Sequence, residues 1–182
     1  MPPDSIHAPW RMDYIRSLNA PAPIGTGGDG EACFLCDAAR ATNDGERKAR
    51  LVLWSNEHSI VVINLFPYTN GHLLIAPRQH KADLELLTAD EANDLQLQTT
   101  RAVKLLKRAL SPQGFNIGIN LGRCAGAGLP GHLHQHVVPR WAGDTNFITV
   151  VGEIRVVPQA VSQLYDELMR VLEQGEWLSA EC

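Results

Sequence analysis

Apolar positions along this chain fall mostly into short runs broken by turn residues, and few stretches keep a helical period. Leu51-Val52-Leu53-Trp54 and Ile60-Val61-Val62-Ile63 are β-branched or aromatic runs and predict strands. Gly71 to Pro77 predicts a third strand, and Phe115 to Leu121 alternates as a fourth. His132 to Val138 alternates as well, and Phe147 to Val151 adds another strand. Thr88-Ala89-Asp90-Glu91 has the pattern of a capping box and opens a helix. Behind it Leu95, Ala102, Val103, Leu106, Ala109 and Leu110 keep helical spacing, and Ser111-Pro112 ends the run. Pro158 starts a last helix with Val161, Leu164, Leu168, Val171 and Leu172 on one side. Trp10 to Ile15 reads as a short helix that docks by its aromatics, and the Pro- and Gly-rich stretch from Asn19 to Gly30 as a linker. Strands in sequence with few helices between them, joined by connections too short for parallel crossovers, predict an α+β domain. The expected architecture is an antiparallel sheet of about five strands with helices packed on one side. An arm and linker over 1–30 then precede a central domain over 31–151, and an extension over 152–182 carries one helix.

Composition narrows this little. The 182 residues, 45% apolar and 20% charged, suit one soluble domain with a sizeable core. No run approaches the ~20 apolar residues of a membrane span. Met1-Pro2-Pro3-Asp4 has neither a basic region nor an apolar core, so no secretion signal is visible and a cytoplasmic location is expected. A net charge of −4 argues against a broad nucleic-acid surface, which usually rests on a basic stripe.

The histidines change the picture. In an extended strand His132, His134 and His136 point to one face, while Leu133, Gln135 and Val137 point to the other. Imidazole suits nucleophilic attack, proton transfer and metal binding near neutral pH, so three in register predict a functional site. Asn120 to Gly128, a run of small residues just upstream, would let backbone N–H groups approach a phosphate; a plain turn between strands is the alternative. Cys33-Phe34-Leu35-Cys36 has the gap of a zinc knuckle; a redox pair and two buried thiols are the alternatives. His7 and His80 read as surface residues, and Cys124 as a small space-filler.

His132-Leu133-His134-Gln135-His136-Val137-Val138 resembles the signature of the histidine triad superfamily, and Asn70-Gly71-His72-Leu73-Leu74-Ile75-Ala76-Pro77 resembles its Gly-His strand. The resemblance implies a histidine triad domain, usually a homodimer, with His134 as nucleophile, His136 as a donor to the phosphoryl oxygens and His72 supporting them. It places ribose binding at Asn64 and a phosphate contact at Asn120. Beside them, Leu65 and Phe66 are expected to line a base pocket or belong to the core, and Gly126, Ala127, Gly128 and Gln135 are expected to contact the nucleotide. The resemblance also implies a structural zinc on Cys33, Cys36, His58 and His132, and leaves open a divalent cation with the substrate. Uridylyltransferases of the superfamily carry Gln at the position of His136, and its hydrolases usually carry Gln at that of Gly128. The set of Trp10-Arg11-Met12, Asn64 to Tyr68, Gly128 and His134 to Trp141 looks most like bacterial diadenosine tetraphosphate phosphorylases. A nucleotide and inorganic phosphate are then the expected partners, with ADP and ATP as products. A hydrolase of dinucleoside polyphosphates or phosphoramidates, and a non-catalytic nucleotide-binding protein, are the alternatives.

Overall fold

The computed structural model describes residues 33–145 and 159–175. The expected elements at Trp10–Ile15 and Phe147–Val151 and the expected linker lie outside that range. Five strands form one antiparallel sheet: β1 (Val52–Ser55), β2 (Ser59–Ile63), β3 (Leu73–Pro77), β4 (Gly114–Ile119) and β5 (Gln135–Arg140). Their order is β1-β2-β3-β5-β4. The expected α+β architecture holds.

The first turn is built by one side chain. Asn56 Oδ1 accepts the backbone N–H groups of His58 (2.9 Å) and Ser59 (2.7 Å), which reverses the chain between β1 and β2. β2 and β3 are buried along their whole length because both faces of the sheet are covered, so they read as continuous apolar runs. The strand expected from Gly71 begins at Leu73. Gly71 itself has φ 79°, and a Cβ there would meet Leu110 Cδ1 at 2.6 Å, so the turn into β3 needs glycine for backbone and space alike.

Helix α3 (Ala89–Leu110) opens on the expected capping box, with Thr88 and Glu91 bonding each other's backbone, and stops at Ser111 in the left-handed region. α3 and α4 (Val161–Glu173) lie on one face of the sheet. Leu95, Ala102, Leu105, Leu106, Leu164 and Leu168 there pack against Val61, Ile63, Leu73, Ile75 and Val137. Two short helices, α1 (Phe34–Ala39) and α2 (Asp44–Ala49), have no counterpart in the sequence reading. α1 covers the opposite face, where Leu35 and Ala38 join Val52, Ile60, Val62, Leu74 and Ala76. The sheet is therefore sandwiched between the long helices and a thin layer carrying Cys33 and Cys36. No helix among the described residues is long and apolar enough to cross a membrane.

Candidate active site and metal centre

β3 and β5 are neighbours although α3 and β4 separate them in the chain, and this pairing assembles the histidines. Leu74 lies opposite His136 in the ladder, and His72 sits just ahead of β3. Hydrogen-bond chemistry then assigns each ring. The Tyr68 backbone N–H donates to His72 Nδ1 (3.1 Å), and the Asn64 amide donates to the same atom (3.2 Å). An N–H cannot accept, so Nδ1 of His72 carries the lone pair and Nε2 carries the proton. That Nε2–H donates to His136 Nδ1 at 2.9 Å, which leaves the proton of neutral His136 on Nε2. His136 Nε2 is buried and has no partner among the described residues. Burial, and then the charge of His134, hold His136 down at about 4, so the ring is neutral at neutral pH.

His134 has the complementary arrangement. Its Nδ1–H donates to the His132 carbonyl at 2.8 Å, so Nε2 keeps its lone pair. The His134 and His136 rings stand edge-on with centroids 5.0 Å apart. One lone pair and one unpartnered donor therefore sit side by side.

Both rings line a cleft of about 700 Å³. Its lining includes Asn64, Leu65, Phe66, Tyr68, Gly126, Gly128 and Leu129, together with Val62 and Leu74. Leu65 and Phe66 are 61% and 78% exposed, so they belong to the cleft rim and not to the core. Gly128 lines the same cleft as His134 and His136, and a Cβ added to it would meet nothing within 4 Å.

Several expected site residues stand elsewhere. Gln135 points to the opposite face of the sheet, where its amide donates to Thr99 Oγ1 on α3 at 2.9 Å. Strand alternation forbids it the face of His134 and His136. Asn120 and Ala127 are not among the residues lining the cleft. The N–H groups of Gly126 and Ala127 already donate inside their own turn, to Arg123 and Gly122 carbonyls. Cys124 is exposed and fills no space.

A second cluster lies behind the triad. Cys33, Cys36, His80 and His132 bring four ligand atoms within 4.8 Å of one another. His132 Nδ1 is 3.2 Å from Cys33 Sγ and 3.5 Å from Cys36 Sγ, and His80 Nδ1 is 3.2 Å from Cys36 Sγ. The expected fourth ligand, His58, is not part of this cluster. It lies in the turn between β1 and β2, where its carbonyl accepts the Arg78 N–H. His80, expected to be a plain surface residue, takes that place. It follows the end of β3 by three residues, so the strand delivers it beside the approach to β5. That spacing from Pro77 was the available signal. Burial, followed by the Cys33 thiol beside it, pushes the Cys36 thiol up to about 11. A bound cation would reverse that by stabilising the thiolates.

Comparison with known proteins agrees with this geometry. The HIT domain family model matches residues 45–143. An "AP-4-A phosphorylase" of Mycobacterium tuberculosis is 38% identical over 151 residues, covering 83% of this chain and 75% of that protein. A bis(5'-nucleosyl)-tetraphosphatase of Schizosaccharomyces pombe is 32% identical over 93 residues, about half of each chain. Among solved structures, a Zn-bound histidine triad family protein from Mycobacterium smegmatis aligns with TM-score 0.63 and 25% identity, over 82% of this chain and 98% of that one.

Proposed function

This chain belongs to the HIT domain family, the histidine triad proteins, and on that premise we propose that it is a diadenosine tetraphosphate phosphorylase. His134 Nε2 attacks the α-phosphorus of the dinucleotide, an N–P bond forms, and the P–O bond to the departing ATP breaks. Inorganic phosphate then attacks the adenylyl-histidine, the N–P bond breaks, and ADP leaves. Throughout, His136 Nε2–H donates to a non-bridging phosphoryl oxygen, where negative charge is stabilised by a donor fixed before the substrate arrives. His72 fixes that donor. The observation that carries this reading is the pairing just described: a lone pair on His134 beside an unpartnered proton on His136, both at the wall of one cleft.

Asn64, Leu65 and Phe66 flank the cleft and are assigned to the nucleoside. The Asn64 side chain already donates to His72 and accepts the Phe66 N–H, so it also ties the nucleoside side to the histidine relay. The open space at Gly128 is assigned to the phosphate acceptor, in place of the side-chain amide of the related hydrolases.

Cys33, Cys36, His80 and His132 are assigned to zinc, a choice supported by two thiols and two imidazoles with neighbouring donors 3.2–3.5 Å apart. Tetrahedral bonds of about 2.0–2.3 Å require donor separations near that value. His132 is prepared for the role, because its Nε2–H donates to the Pro77 carbonyl at 2.8 Å and leaves Nδ1 free to ligate. Four protein ligands with no open position make the ion structural, holding α1 against the approach to β5. We further infer a homodimer, as the family resemblance implies; β4, an edge of the described sheet with Ile117 exposed, supports the pairing of two copies.

The test is to incubate the purified protein with diadenosine tetraphosphate, with and without inorganic phosphate, and to identify the nucleotides formed. ATP plus ADP in the phosphate tube alone is the expected result. ATP plus AMP, or two ADP, without phosphate would make the enzyme a hydrolase and sink the assignment at Gly128.

A further inference from the structure

Both β-ladders that hold β5 end at Gln135, which pairs with Ile75 on one side and Ile119 on the other. His132, Leu133 and His134 lie beyond the last paired residue of β5, where the His132 N–H donates to the Leu129 carbonyl at 3.3 Å and the His132 ring to the Pro77 carbonyl. A shorter backbone bond reaches this segment from another loop. The Leu133 N–H, between His132 and His134, donates to the Lys81 carbonyl at 2.6 Å.

Lys81 sits in an irregular loop between β3 and α3 that has no ladder of its own. Its side chain fixes it on the α3 side, as His80 does on the side of the cysteines. Lys81 Nζ donates to Glu91 Oε2 at 2.6 Å, and the two side chains are only 16% and 6% exposed. The same Glu91 oxygen accepts the Thr88 N–H at 2.7 Å, so the carboxylate belongs both to the cap of α3 and to the loop. A nearly buried ion pair of this kind holds its geometry far better than an exposed one. The pair of Lys48 with Asp166, by contrast, is more than half exposed on both sides.

We propose that Lys81 and Glu91 are positioning residues for the transfer reaction: they clamp the loop whose carbonyl holds the His132–His134 backbone, and so set the place of His134 in the cleft. Neither touches the substrate. The clamp reaches the site from the α3 face of the sheet, opposite the cysteine pair, so the segment is held from two sides.

The effect on turnover rests on the assignment of His134 as nucleophile, so the test includes a measurement that does not. Lys81→Met with Glu91→Gln removes both charges without stranding a buried ion, and glutamine keeps the capping box. In this double variant the Leu133 amide exchanges with solvent at least about tenfold faster than in the parent. With diadenosine tetraphosphate and phosphate, kcat falls by roughly 10- to 100-fold while KM stays within about threefold. Lys81→Arg keeps the ion pair and both parent values. Lys48→Met, at the exposed pair, also changes neither. Should the double variant fail to fold, Glu91→Gln alone carries the same two measurements. Parent-like exchange at Leu133 refutes the clamp, whatever the activity. Faster exchange with parent-like kcat refutes its part in positioning His134. A parent protein that is itself inactive on this substrate overturns the functional assignment, and Leu133 exchange alone then decides the clamp.

Discussion

A neutral imidazole that accepts at one nitrogen must donate at the other, and this constraint passes from one ring to a second here. Tyr68 and Asn64 set His72, and His72 sets His136. A single backbone carbonyl sets His134 independently. Replacing His134 by Asn removes the attacking lone pair but little of the cleft. Turnover should fall by at least roughly three orders of magnitude, while nucleotide affinity measured by calorimetry stays near that of the parent. Loss of binding in equal measure would mean that His134 holds substrate and does not attack it. The triad was legible because a period of two is printed directly in the sequence at His132, His134 and His136. Gln135 obeyed the same period, and its placement among nucleotide contacts conflicted with it. His58 and His80 could not be separated by composition. Which of them reaches Cys36 depends on where β3 ends and the loop turns, and that is a tertiary fact.

At the scale of elements, the long helix and the central strands were plain in the pattern, because each has a strong period or an unbroken apolar run. α1 and α2 were not, since six residues are too few to show a helical period. α2 does carry a local signal, the Asn43 side chain capping the Glu46 N–H, three residues on. The start of α3 is the better test of capping. Thr88→Ala deletes the acceptor for the Glu91 N–H and should cost about 1 kcal/mol. That is a drop of roughly 2–4 °C in Tm by calorimetry for a chain of this size. A change below half a degree would show that Glu91, held by Lys81, is placed without the cap.

Across the whole molecule, the proposed metal joins parts that secondary structure leaves separate. Cys33 and Cys36 come from the layer on one face, His80 from the loop after β3, and His132 from the approach to β5. Extraction of the ion by a strong chelator should therefore weaken the fold and the active site together. For a site occupied at about a thousand times its Kd the loss is about 4 kcal/mol, a fall of roughly 10 °C in Tm. Scanning calorimetry with metal analysis by mass spectrometry measures both. An unchanged Tm after complete extraction would show that hydrogen bonds alone hold the four side chains. The same cluster has a consequence in time. Cys33 and His132 are 99 residues apart in the chain. On a ribosome adding about 5–20 residues each second, the two thiols wait roughly 5–20 seconds before their last partner exists. Four-ligand capture of the ion is thus confined to chains in which β3 and the approach to β5 have both been made, and the metal acts as a late check on assembly.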